Sequence, residues 1–267
     1  MKRICLLIIL ICSCFITHTN ASTDMIRRKE VEPTGQVVWE VHTSKKIIAL
    51  TFDDGPNPKY TPQVLELLKQ YDAHATFFQI GFRMERYPQI VQQVVQAGHE
   101  LGNHSMTHQY ENKAGVKSMG IEMIMADRII QKYLPNHLKL FRPPGGYIDT
   151  SLLHEAKQLG YKVVLWSYHQ DTKDWSLPGT QVIANHIIRH ARSGDIVLLH
   201  DGGGDRSQTI QALKSILPTL KQQGYQFVSV SELLHLLDFF AAWMTKGCYS
   251  YIFSSIITAK IYSGLFN

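Results

Sequence analysis

The sequence predicts an α/β fold, a distorted or incomplete (β/α) barrel of about seven parallel strands, with a doubly wound sheet as the alternative. Three observations carry this expectation. Short β-branched or aromatic runs alternate with longer segments of helical period, as in parallel strands joined by crossover helices. Gly98, Gly160 and Gly224 each follow a helical segment, where left-handed C-terminal caps fall. The composition, 45% hydrophobic and 18% charged over 267 residues, suits one globular domain and excludes disordered and polytopic membrane classes.

The elements follow in order. Lys46–Thr51 (Lys-Ile-Ile-Ala-Leu-Thr) is the first strand candidate, and Pro62–Tyr71 is its helix. Ala75–Ile80, with Thr-Phe-Phe, is the second strand, and Tyr87–Ala97 follows with helical period. Glu100–Gly102 is a short third strand before a helix at Val116–Tyr133. Leu138–Phe141 pairs with helix Ser151–Leu159, and Lys162–Trp166 with helix Gln181–Ala191. Asp195–Leu199 precedes helix Thr209–Gln223, and Gln226–Val228 closes the series.

Outside this domain, expected over residues 45–237, the chain reads differently. Lys2 and Arg3 precede an apolar stretch from Ile4 to Ile16 and small polar residues to Ser22, so residues 1–21 are expected to be a signal peptide cleaved after Ala21. Ile11-Cys12-Ser13-Cys14 loosely resembles a lipidation signal, which makes anchoring through Cys14 the alternative. Residues 22–44 read as a polar stem or linker. Residues 238–267 form an apolar tail of no assigned role, interrupted by Lys246, Gly247 and Lys260 and lacking the ~18-residue uncharged run of a spanning helix. Cys5, Cys12 and Cys14 lie in the leader, so only Cys248 would remain and no intrachain disulfide is expected. A net charge of +5 without a basic run argues against nucleic-acid binding and is compatible with an anionic cell wall.

Two segments stand out chemically. Thr51-Phe52-Asp53-Asp54-Gly55-Pro56 supplies two carboxylates, and His104-Ser105-Met106-Thr107-His108 supplies two imidazoles spaced to face one ion from a helix start or turn. Two His and one Asp form a set used by hydrolytic zinc sites that keep a position open for water. Adjacent aspartates on a strand point to opposite faces, so the turn at Gly55-Pro56 is expected to bring both into one pocket. Each element alone is commonplace: an isolated His pair is usually solvated surface, and Asp-Asp-Gly-Pro is often only a turn. Together, Asp53, Asp54, His104, Arg142 and His200 all follow predicted strands, where catalytic groups of β/α barrels gather.

The chain resembles the polysaccharide deacetylase family, the NodB-homology domain of carbohydrate esterase family four, over about Lys45 to Leu234. The matches run in family order: Thr51 to Pro56, His104 to His108, Phe141-Arg142-Pro143-Pro144-Gly145-Gly146, Asp171-Thr172-Lys173-Asp174-Trp175 and Leu198-Leu199-His200-Asp201. The resemblance implies a barrel of the NodB type and a metal held by Asp54, His104 and His108, most often Zn2+, with Co2+, Mn2+ or Ni2+ as alternatives. It implies Asp53 as general base, Arg142 as holder of that base, His200 as general acid, and Asp174 as orienter of Arg142 or His200. Trp175 and Leu198 would wall the acetyl pocket, with a core aromatic as the competing reading of Trp175. Pro143 would touch substrate, and the backbone N–H of Tyr60 would assist at the oxyanion.

The expected reaction is removal of N-acetyl groups from amino-sugar polymers. Peptidoglycan N-acetylglucosamine comes first, with N-acetylmuramic acid, chitin oligomers and O-acetylated sugars as alternatives. A zinc peptidase is disfavoured because Ser105 stands where His-Glu-x-x-His enzymes carry their base, and a non-catalytic sugar-binding relative is disfavoured by the complete residue set. Gly202-Gly203-Gly204 lacks the ending of a phosphate-binding loop and is expected to be a mobile loop beside the groove. The protein is expected to be bacterial and secreted or associated with the cell wall or surface. Peripheral wall or membrane association and the oligomeric state stay open.

Overall fold

The computed structural model describes residues 27–109 and 118–235. The expected leader, Cys14, Cys248, the tail and the predicted helix start at Val116 lie outside them. Strands β1 (Val37–Val38), β2 (Ile47–Asp53), β3 (Ala75–Gln79), β4 (Glu100–Asn103), β5 (Leu140–Phe141), β6 (Lys162–Val164) and β7 (Ile196–His200) form one parallel sheet in the order β1-β6-β5-β4-β3-β2-β7. A further strand, β8 (Gln226–Phe227), pairs with Ile47 and Ile48 at the start of β2. Helices α1 (Arg28–Val31), α2 (Thr61–Gln70), α3 (Gly81–Arg86), α4 (Pro88–Gln96), α5 (Met119–Tyr133), α6 (Thr150–Gln158), α7 (Thr180–His190) and α8 (Ser207–Gln222) accompany them. None among the described residues is long and apolar enough to cross a membrane.

The sheet curls into a half-barrel, and irregular backbone bridges its edges. Ser167 N–H donates to the Ile196 carbonyl at 3.0 Å, and Ile196 N–H donates to Ser167 Oγ at 3.1 Å. Asp171 bridges to Leu198, and Glu40 to Asp195. This is the predicted distorted barrel rather than the doubly wound sheet.

Strand alternation sorts the core into layers. Ile48, Leu50 and Phe52 of β2 pack outward with Val64 and Leu68 of α2 and Leu213 and Leu217 of α8. Ile47 and Ala49 face inward with Val38, Phe78, Leu140, Val164 and Ile196. Further along the inward rows, two residues past Leu140 and four past Ala49 and Ile196, the side chains become chemically active, so the same alternation that fills the barrel floor aims Asp53, Arg142 and His200 at its mouth.

Six boundaries differ from expectation. Residues 22–44 are not all stem, because Val37–Val38 pairs with Val163 and Val164 and Trp39 and Val41 are buried; a two-residue strand has too little periodicity to read. Asp53 and His200 are the last residues of their strands rather than the residues after them. An unpredicted helix, α3, precedes α4, separated from it by Tyr87 with Pro88 opening the second helix. Leu138 is exposed and outside β5, and β6 stops at Val164 instead of Trp166.

Candidate active site

Arg142 is wholly buried beneath the barrel mouth. Its Nη1 donates to Asp53 Oδ1 and to Thr51 Oγ1, both at 2.7 Å, its Nε donates to the Val164 carbonyl at 3.1 Å, and its Nη2 to the Leu165 carbonyl at 2.9 Å. The guanidinium lies 4.1 Å from the centre of the Phe78 ring. Gly102 makes room for this stack, since a Cβ there would overlap that ring. A buried cation persists in such a place only when paired and hydrogen-bonded, and Arg142 is both. Asp53 Oδ1 is thereby fixed, while Asp53 Oδ2 points toward His104, 3.9 Å from its Nε2.

Asp54 turns out of the strand with φ 69°, so the reversal begins at Asp54 itself, one residue before the expected Gly55-Pro56. Both carboxylates reach the pocket as a result. Asp54 Oδ1 lies 3.5 Å from His104 Nε2 and 3.1 Å from His108 Nε2, and one ligand atom from each residue falls within 4.8 Å of the others. The histidine segment is a loop rather than a helix. Asn103 Oδ1 accepts the Ser105 N–H at 2.9 Å, and Ser105 Oγ accepts the His108 N–H at 2.9 Å. These bonds hold Ser105 and His108 at φ 64° and 58°.

The protonation chemistry of this trio fits a cation. His104 Nδ1 lies 2.7 Å from the Arg142 carbonyl, an acceptor only, so Nδ1 carries the hydrogen and the Nε2 lone pair of the neutral ring faces Asp54. Asp54 Oδ1 is buried and receives no hydrogen bond among the described residues. Lone pairs converging on a buried carboxylate oxygen are the donor set of a metal, with the carbonyl bond fixing the ligand ring from behind. With a proton in place of an ion, the N–H groups of the charged imidazoles would face Asp54 instead, and they would hold its pKa well below the carboxylate range against the opposing effect of burial. Burial likewise opposes charge on His104, and Asp53 and Asp54 outweigh it and raise its pKa.

On the opposite wall, His200 Nδ1 meets Asp174 Oδ1 at 2.6 Å. Asp174 Oδ2 accepts the His200 N–H at 3.0 Å and the Thr209 hydroxyl at 2.7 Å. Of the two partners expected for Asp174, the structure thus selects His200 over Arg142. Burial disfavours the charged imidazole, but Asp174, with Asp53 and Asp54 beyond it, raises the His200 pKa.

The cavity holds about 530 Å³ and brings together Asp53, Asp54, His104, His108, Leu198 and His200, with Trp175 on its wall. Trp175 is 55% exposed, which removes the core reading of this residue. Two expected substrate-contact residues lie outside the cavity's lining. The Tyr60 N–H is committed to Asn57 Oδ1 at 3.1 Å and its hydroxyl to Asp205 at 2.7 Å, so Tyr60 is not in the lining. Pro143 is buried, and Gly145, Gly146 and Tyr147 take its place. Trp166 and Arg206 also line the cavity without having been given a role, together with Asp171, quoted only within a motif, and Gly203 of the expected glycine loop. Trp166 could have been found by continuing the inward alternation of β6, and Gly145 and Gly146 stood inside a quoted motif. Gly202 and Gly203 serve close packing against Asp54 rather than a loop free of the wall, since a Cβ on either would overlap it. His99, His154, His186, His190 and His235 stay out of the cavity, as does His169, which pairs with Asp195 at 3.0 Å.

Comparison with known proteins agrees with this geometry. The family model described as polysaccharide deacetylase matches residues 40–164. A peptidoglycan-N-acetylglucosamine deacetylase of Bacillus cereus is 57% identical over 210 residues, covering 79% of this chain and 98% of that protein. A chitooligosaccharide deacetylase of Sinorhizobium fredii is 35% identical over 201 residues, covering 71% and 93%. The crystal structure of the Bc1960 peptidoglycan N-acetylglucosamine deacetylase, in complex with a naphthalenyl N-hydroxybenzamide, superposes with a TM-score of 0.72 at 30% identity, covering 76% of this chain and 95% of that one. Sequence likeness at this level over most of both chains, joined to the same fold, means that the chain belongs to the polysaccharide deacetylase family, the enzymes of carbohydrate esterase family four.

Proposed function

We propose that the chain is a metal-dependent N-deacetylase of peptidoglycan N-acetylglucosamine. The observation that carries this reading is one pocket in which the Asp54–His104–His108 trio lies between a carboxylate pinned by Arg142 and an imidazole pinned by Asp174. The trio would hold a divalent ion, zinc by its donor types, and such an ion when bound acts as a Lewis acid toward a carbonyl and acidifies water.

The remaining work falls to the protein's own groups. Asp53 accepts a proton from the attacking water at Oδ2, because Oδ1 is taken by Arg142. His200, its Nδ1 fixed on Asp174, delivers a proton from Nε2 to the leaving amine nitrogen, which cannot depart as an anion. Leu198 and Trp175 offer apolar surface to the acetyl methyl. The substrate assignment is supported by the 57% identity to a peptidoglycan-N-acetylglucosamine deacetylase. Export by the expected leader would deliver the enzyme to that polymer.

The test is acetate release from peptidoglycan and from chitin oligomers, with zinc or with chelator. Release from peptidoglycan that is abolished by chelation and restored by zinc is expected. Faster release from chitin oligomers, or from an O-acetylated sugar alone, would reassign the substrate, and release indifferent to chelation would remove the metal from the reading.

A further inference from the structure

The segment after β7, Gly202-Gly203-Gly204-Asp205-Arg206, forms a part of the pocket wall to which the proposed reaction gives no role. It folds back against Asp54. A Cβ on Gly202 would overlap the Asp54 carbonyl oxygen, and one on Gly203 would overlap Asp54 Oδ2, so bare backbone lies against the carboxylate on one side. Gly203 and Gly204, with φ 76° and 155°, also need the conformational freedom of glycine.

Arg206 holds this backbone in place. Its side chain is buried, with Nε donating to the Gly202 carbonyl at 2.6 Å and Nη1 to the Asp205 carbonyl at 3.0 Å. The far end of the segment is tied as well, because Asp205 Oδ1 accepts from the Tyr60 hydroxyl at 2.7 Å and from the Ser207 N–H at 2.9 Å. Asp54 meanwhile sits in the left-handed region, which aspartate enters more readily than most side chains but which the regular strand before it does not supply, so the packing around it helps to fix its direction.

We infer that Arg206 is a positioning residue for Asp54: it clamps the glycine turn against the carboxylate and so sets the direction in which Oδ1 meets His104 and His108. The inference rests on reading that trio as a metal site. Without the clamp the turn relaxes, Asp54 gains room to rotate, and the three ligand atoms no longer converge. Lysine is a partial substitute, since one ammonium lacks the planar fork that spans the Gly202 and Asp205 carbonyls.

The experiment measures the zinc dissociation constant of the full chain by competition with a chromophoric chelator, for wild type, Arg206→Ala, Arg206→Lys and Gly203→Ala. The melting temperature of each metal-free protein is recorded alongside. Affinity is expected to weaken by about 10–100-fold in Arg206→Ala and Gly203→Ala, the range for outer partners of metal ligands, and by less in Arg206→Lys. The metal-free proteins are expected to stay folded, with Arg206→Lys melting close to wild type and Arg206→Ala and Gly203→Ala somewhat lower, from the lost hydrogen bonds and the added Cβ. Unchanged zinc affinity in Arg206→Ala, or an affinity loss matched by loss of the metal-free fold in both Arg206 variants, overturns the inference. If Arg206→Ala fails to fold, Arg206→Lys decides. A wild type that binds no zinc overturns the metal reading and this inference together, whereas unaltered affinity in the variants leaves the metal reading standing.

Discussion

The two walls of the pocket are built from different material. On the Asp53 side the wall is regular sheet: β2 lies between β3 and β7, every residue from Ile47 to Asp53 is buried, and Arg142 is locked by four hydrogen bonds. His200 ends the neighbouring strand β7, but the aspartate that fixes it stands on irregular backbone between β6 and α7, where Lys173 and Leu177 take left-handed conformations and Trp175 is more than half exposed. One side sacrifices adaptability for a fixed carboxylate; the other holds its imidazole through a single aspartate on a short turn. The base wall should therefore fail as a unit, and the acid wall residue by residue.

The hardest test of that contrast is Arg142→Ala, which leaves Asp53 buried without its partner. Urea unfolding should show a loss of about 3–5 kcal/mol, with deacetylation gone. A loss below about 1 kcal/mol would mean that the pair is not the keystone of that wall. Asp53→Asn comes next, since the amide still offers an oxygen to Arg142 but cannot take a proton. Turnover should fall by about 10²–10⁴-fold with zinc affinity retained, as read by acetate release beside chelator competition.

Asp174→Asn probes the acid wall through pH. Asp174 raises the His200 pKa, so wild type keeps the acid protonated further up the pH scale, and the variant's basic limb of kcat/KM should move to lower pH. The same pair has a stability signature. Its stabilisation is fully present below the ordinary histidine value of 6.5 and fades as pH rises through the raised native value, so variant and wild type should converge in melting temperature at high pH. The smallest effect belongs to Trp175→Ala: because the ring is exposed, stability should stay within about 0.5 kcal/mol while KM rises. A large stability loss would show that the acid wall is as rigid as its opposite.

The same division explains what could be read from sequence. The apolar run Ile47–Leu50 and the ordered motifs announced the barrel and the trio, because strand burial and ligand chemistry both leave local signatures. Val37–Val38 left none, being two residues long, and neither did the capture of the Tyr60 N–H by Asn57, which depends on the fold of one turn. Arg206 was invisible for a related reason: its role is written in the carbonyls of Gly202 and Asp205, and backbone acceptors look alike in every sequence.

The single inward row of β2 has a consequence for how such a chain can change. Ile47, Ala49, Thr51 and Asp53 share one face, so inserting or deleting one residue before Asp53 would turn that carboxylate toward the helices and present Phe52 to the cavity. No intermediate length preserves both core and chemistry. The backbone from Ser167 to Leu177 pairs with β7 at Ser167 and at the Asp171–Leu198 bridge, so residues added outside these points and clear of Asp174 do not rotate Asp53 or Arg142. The base wall can thus drift by substitution but not by a change of length, which the irregular backbone after β6 tolerates more easily.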